Sequence, residues 1–183
     1  NILTRGELLQ LQHSYSIPTE DDYIEIIKKK TAVLFTISAE SAAISVGASK
    51  EQREALRQFA EYLGICFQIK DDILDYCGSS SVGKPLGVDI LEQKITLPLL
   101  GALDNVPQEQ AQHVRDMIRD IVAHPEYRDE IVRFVIDNAG VDYARRRLDE
   151  YVGQALRALD VLDDSVAKGY LMDLAHFTAL RDR

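Results

Sequence analysis

Phe67-Gln68-Ile69-Lys70-Asp71-Asp72-Ile73-Leu74-Asp75 sets three carboxylates close together on an otherwise oily helix. The glycine-rich, lysine-bearing stretch Gly83-Lys84-Pro85-Leu86-Gly87-Val88-Asp89 follows it. Asp71 and Asp75 are four residues apart and share a helical face, with Asp72 about 100° round. At roughly 5 to 6 Å and an effective dielectric near 20, each like-charge pair costs on the order of 3 kcal/mol, less where water screens it. A divalent ion reverses that sign. Magnesium suits the pattern because it takes oxygen ligands, keeps several waters and commonly sits between one or two carboxylates and the phosphates of a substrate. A bare Asp-Asp-x-x-Asp is as readily a solvated acidic face. Here Ile65, Phe67, Ile69, Ile73 and Leu74 leave little of the helix free for water, so some of the acids are expected to line a cleft.

Working outward, nearly every segment has helical periodicity and none alternates as a strand would. Thr19-Glu20-Asp21-Asp22 resembles a capping box opening one long helix that runs through Ile44 to a stop at Gly47. Ser49-Lys50-Glu51-Gln52 opens the next, which carries the acids in its C-terminal third and ends near Gly78. Carboxylates there face the unfavourable end of the helix dipole, at about 0.3 to 1 kcal/mol each, a penalty a metal would remove. Ser79 to Gly87 has turn composition, and helix resumes around Thr96-Leu97-Pro98. Further helices are predicted over 108–123, over 125–139 with Gly140 as C-cap, over 141–162 and over 165–180. The product is one all-α domain of long packed helices over residues 1–183.

Other features set bounds. A hydrophobic fraction of 46% with no apolar run of membrane-spanning length points to a soluble globular chain. A net charge of −9 argues against nucleic-acid binding, which needs a basic field. Cys66 and Cys77 sit roughly 16 Å apart on one helix, too far for a bridge. Unbridged cysteines fit a reducing compartment, and a cytoplasmic location is expected. Lys28-Lys29-Lys30-Thr31 abuts an apolar stretch; it is either three snorkelling lysines or an anion contact. Ser38, Ser41, Ala42 and Ser45 form a small-residue stripe suited to close helix packing. His13, His113, His124 and His176 are scattered, as surface or structural histidines are. No Glu-x-x-His pairs of a di-iron bundle occur, and Arg145-Arg146-Arg147 reads as a solvated face with local ion pairs.

These residues together resemble the trans-isoprenyl diphosphate synthases, the polyprenyl synthetase family. Phe67 to Asp75 looks like that family's second aspartate-rich motif, followed at suitable spacing by Gly83-Lys84-Pro85 and Lys94-Ile95-Thr96-Leu97-Pro98. Lys30-Thr31 matches its Lys-Thr pair, and Gly6-Glu7 resembles the short element before it. Gln93 stands where the family commonly has Gly. The resemblance implies an isoprenoid synthase-type bundle of long helices around a central cavity, here lacking its N-terminal helices. It implies that an allylic diphosphate, bound through Mg²⁺, ionises to an allylic cation and joins isopentenyl diphosphate to give a polyprenyl diphosphate of medium to long size. By position, Asp71 and Asp75 would bind metal, with Asp72 holding metal-bound water or a basic partner. Lys30 and Lys84 would contact the allylic diphosphate, and Thr31 and Gln68 would lie near the cation.

No first aspartate-rich motif or its following arginines precede Gly6, so the chain is expected to be the C-terminal portion of a longer synthase and catalytically incomplete alone. The full-length protein is expected to be a homodimer. Rival readings are a non-catalytic or regulatory helical subunit and a terpene synthase-like enzyme. The intact Asp71, Asp72, Asp75, Lys30 and Lys84 weigh against the first, and the Gly83-Lys84-Pro85 loop against the second.

Overall fold

The computed structural model describes residues 18–77 and 86–181. Among them every regular element is helical: α1 (Glu20–Ile27), a π-helical turn (Lys28–Ala32), α2 (Val33–Ser45), α3 (Lys50–Cys77), α4 (Val88–Leu91), α5 (Leu97–Asp104), α6 (Gln108–Arg119), α7 (Tyr127–Asp137), α8 (Gly140–Ala158) and α9 (Val166–Leu180). None of these helices is long and apolar enough to cross a membrane.

Both capping boxes form. Thr19 Oγ1 accepts from the Asp22 N–H at 3.2 Å while Asp22 Oδ2 accepts from the Thr19 N–H at 2.9 Å. Ser49 and Gln52 repeat the exchange at 3.1 and 3.0 Å. At the other end of α2, Gly47 takes φ +68° and its N–H, with that of Ala48, closes on the carbonyls of Ile44 and Ala43. The Ser165 hydroxyl accepts from the Lys168 N–H at 3.1 Å to open α9. Ser165→Ala is accordingly expected to cost about 1 kcal/mol, read as a small fall in the denaturant midpoint at unchanged slope.

Two compact packing units emerge. The described part of one is Ile24–Lys70 with Arg147–Arg181; that of the other is 18–23, 71–77 and 86–146. In the first, Phe59 and Leu63 of α3 bury against Ala155, Leu159 and Ala175, with Phe35 and Leu171 closing round them. Each large side chain so buried contributes roughly 1.5 to 3 kcal/mol. Gly64 allows the π turn to lie directly on α3, since a Cβ there would come 2.5 Å from Ala32 Cα. In the second unit α5 is buried on every side, from Leu97 to Leu103, and packs on α6 and α7. A helix that is apolar all round belongs in an interior.

The structure corrects several sequence expectations. The helix from Glu20 to Ser45 is not uniform, because the π turn interrupts it. Residues 86–96 hold a short helix, α4, where the sequence reads as loop and connection. Helices α6, α7 and α8 end earlier than their periodicity suggests, as residues 120–123 and 159–162 turn off. Gly140 is not a C-cap. It opens α8, and Ala139 takes the positive φ of 56° instead, because Gly140 is needed where its α-carbon meets the Pro98 carbonyl. Ser38, Ser41, Ala42 and Ser45 are exposed, and Ser38 and Ser45 bond back to the carbonyls of Leu34 and Ala42, so the stripe packs against nothing described.

Candidate active site

In the first unit the π turn sets the geometry. The Val33 N–H reaches back five residues to the Lys28 carbonyl, so one extra residue is accommodated and the side chains that follow rotate relative to a regular helix. Lys28 pairs with Glu61 at 3.2 Å and Lys29 with Glu25, the snorkelling surface behaviour. Lys30 is half-buried. Thr31 Oγ1 donates to Gln68 Oε1 at 2.8 Å, joining two residues thirty-seven positions apart. Because the threonine proton is used on Gln68, the lone pairs of the Thr31 oxygen are left on its other side. Phe67, next to Gln68, is held by Phe35 at 5.5 Å between ring centroids and by the Arg181 guanidinium, 4.3 Å from its ring. Arg181 also donates to the Phe67 carbonyl at 3.0 Å.

In the second unit the three acids of α3 have three different surroundings. Asp71 is half-exposed. Asp72 is 2% exposed, and Tyr23, itself buried, donates its hydroxyl to Asp72 Oδ2 at 2.6 Å. A buried carboxylate is tolerable only with such donors, and hydrogen bonds to a charged group contribute about 1.5 to 3 kcal/mol. Asp75 receives backbone N–H groups from the start of α4: Val88 on Oδ1 and Asp89 on Oδ2, both at 3.1 Å. Below the acids, Tyr76 is fully buried with its hydroxyl 3.5 Å from Thr96 Oγ1; burial raises its pKa, so it stays neutral. Lys94 pairs with Asp89 at 3.0 Å and Glu92 at 2.5 Å. Burial works against the charge on Lys94, but the hydrogen bonds to Glu92 and Asp89 outweigh it and hold its pKa above the ordinary lysine range.

The donor set can be matched against a metal. Among the described residues no group of three His, Cys, Asp or Glu side chains is placed to hold a metal ion. The donors along the end of α3 are carboxylate oxygens, the ligand type that Mg²⁺ takes together with water and phosphate. Lys84, with Gly83 and Pro85, lies outside the described residues, as do Gly6, Glu7 and His13. His113, His124 and His176 are exposed, and His124 bonds Glu126 at 3.0 Å. Arg145 and Arg147 pair locally with Asp142 and Glu150.

Sequence reasoning missed Tyr23, the π turn and Gly64. Tyr23 falls on the apolar stripe of α1, and its one distinguishing signal is a hydroxyl on an otherwise aliphatic face. Nothing local marks Gly64, a lone glycine in mid-helix.

The family model described as Polyprenyl synthetase matches residues 1–135. An all-trans-nonaprenyl-diphosphate synthase (geranyl-diphosphate specific) from Rhodobacter capsulatus is 40% identical over 176 residues, covering 94% of this chain and 53% of that protein. Octaprenyl diphosphate synthase of Escherichia coli (strain K12) is 36% identical, over 100% of this chain and 57% of that one. Among solved structures, a polyprenyl synthase from Caulobacter crescentus CB15, complexed with calcium and isoprenyl diphosphate, superimposes with a TM-score of 0.91 at 32% identity. The match covers 100% of this chain and 56% of that one. The chain thus spans about half the length of the relatives it matches.

Proposed function

For a chain that belongs to the polyprenyl synthetase family, we propose prenyl transfer as the activity: ionisation of an allylic diphosphate and addition of the resulting cation to isopentenyl diphosphate, giving a polyprenyl diphosphate. The observation that carries this reading is the 2.8 Å bond between Thr31 and Gln68. It unites the Lys-Thr pair with α3, and on that same unbroken helix Asp71, Asp72 and Asp75 follow Gln68 at three, four and seven residues.

The chemistry divides by charge. Breaking a carbon–oxygen bond to diphosphate gathers negative charge on the leaving group, so positive charge must already be in place there. Bound Mg²⁺ supplies it as a Lewis acid toward the phosphate oxygens. Asp71 would hold the metal, Asp72 and Asp75 would add negative charge to the same turn, and Lys30 and Lys84 would bind the diphosphate oxygens. The allylic cation needs the opposite environment. Thr31 and Gln68 offer neutral oxygen dipoles, which stabilise a cation without bonding to it, and their mutual hydrogen bond keeps the threonine proton turned away. The departing diphosphate is basic enough to take the final proton, so no histidine is required.

Mg²⁺ dependence, a cytoplasmic location and a homodimeric full-length protein belong to the same reading. Exposed apolar residues along α9, among them Val166, Tyr170 and Phe177, support assembly with a further copy. Relatives of similar identity are named for different products, from geranylgeranyl to nonaprenyl chains, so no product length is assigned.

Calorimetric melting tests the reading. With Mg²⁺ and inorganic diphosphate at a hundred times Kd, stabilisation of about 2.7 kcal/mol is expected, a rise of roughly 5 to 11 °C for a chain of this size. Asp71→Ala should remove the rise. An unaltered chain that shows none, or an Asp71→Ala chain that keeps it, overturns the assignment.

A further inference from the structure

Asp75 is engaged differently from its neighbours. Three consecutive backbone N–H groups end on this single residue: that of Gly87 on its main-chain carbonyl at 2.8 Å, and those of Val88 and Asp89 on its two carboxylate oxygens at 3.1 Å each. The surroundings hold the donors in that order. Gly87 sits at φ +70°, and a Cβ there would come 2.8 Å from Val132 and 2.9 Å from Arg128, so the backbone is both bent and pressed against α7. Beyond it Asp89 is fixed in turn, its carbonyl accepting from the Lys94 N–H at 2.9 Å and its carboxylate from Lys94 Nζ at 3.0 Å. The chain therefore leaves α3 and returns to a point defined by one carboxylate.

We infer that Asp75 is a positioning residue: it clasps the Gly87–Asp89 backbone to the end of the acidic turn, and it influences metal-diphosphate binding through that backbone, not as a metal ligand. This rests on the preceding reading of the turn as a metal-diphosphate site. A carboxylate whose two oxygens each accept an N–H from adjacent residues has its plane and direction set by those donors. A longer side chain cannot span the same two N–H groups from the same Cα, so Glu at position 75 preserves charge and ligating oxygens while spoiling the clasp.

The test uses the whole chain and two readouts. Amide hydrogen exchange should find Val88 and Asp89 protected in the unaltered protein. Both Asp75→Asn and Asp75→Glu should speed their exchange by about tenfold or more. Titration with Mg²⁺ and inorganic diphosphate should then give the same number of metal ions per chain in both variants, with affinity weaker by only a few fold, whereas Asp71→Asn loses binding. Unchanged exchange at Val88 and Asp89 in both variants overturns the clasp. So does Asp75→Asn losing a metal ion while Asp75→Glu retains it, the pattern of a true ligand. Failure of the unaltered chain to bind Mg²⁺ and diphosphate sinks the functional reading, and is seen before any variant is made.

Discussion

Gly140→Ala is expected to melt roughly 6 to 12 °C below the unaltered chain, the equivalent of about 3 kcal/mol for a protein of this length. The cause is a backbone collision. A Cβ at position 140 would lie 2.1 Å from the Pro98 carbonyl oxygen, 2.9 Å from Ala102 Cβ and 3.0 Å from Val135 Cγ1. Pro98 belongs to α5, which is buried on every side and cannot retreat without opening its own packing. A flexible side chain could swing aside, but a helix carbonyl cannot. Gly169 supplies the control: it sits in α9 with nothing within 4 Å of an added Cβ. Alanine there should be neutral or stabilising by about 0.5 to 1 kcal/mol, because glycine in a helix interior is entropically costly. A Gly140→Ala chain melting within about a degree of the unaltered one would show that α8 does not start against α5 as described.

Gly64→Ala should damage stability and the site together. Its Cβ would come 2.5 Å from Ala32 Cα and 2.8 Å from Ala32 Cβ, well inside the roughly 3.5 to 4 Å at which carbon atoms rest. Relief requires the π turn to back away by about an ångström, and Thr31, one residue before Ala32, must move with it. The Thr31–Gln68 bond at 2.8 Å then falls outside hydrogen-bonding range. The expected result is a loss of about 2 to 3 kcal/mol and, on the proposed role of Lys30 as a diphosphate contact, Mg²⁺-dependent diphosphate affinity weaker by about tenfold in the variant that still folds. Equal affinity in a folded Gly64→Ala chain would remove the π turn from the binding reading.

The candidate site was legible as a pattern because its residues are close in sequence or carry distinctive chemistry. Three acids on one apolar helix, a Lys-Thr pair and a capping box are local patterns; the acids and the capping box map onto helices that form as expected, whereas the Lys-Thr pair falls on the π turn. What the sequence could not resolve was how alike residues divide. Lys28, Lys29 and Lys30 are chemically identical neighbours, and which of them meets Glu61 on α3 is set by how the two segments pack. The resemblance set Asp72 apart from Asp71 and Asp75, but it did not reveal that Tyr23 donates to Asp72 or that the Val88 and Asp89 amides donate to Asp75.

The sequence alone determined that this chain is helical, where most of its helices begin, and that three acids cluster on one turn of α3. Those properties follow from periodicity, caps and charge, which act over a few residues. Tertiary structure decided the rest: the π turn, the opening of α8 at Gly140, and the donors that meet Asp72 and Asp75. Each depends on how closely two backbones approach or which distant donor meets a carboxylate, and such contacts are set by packing between segments that the chain keeps far apart.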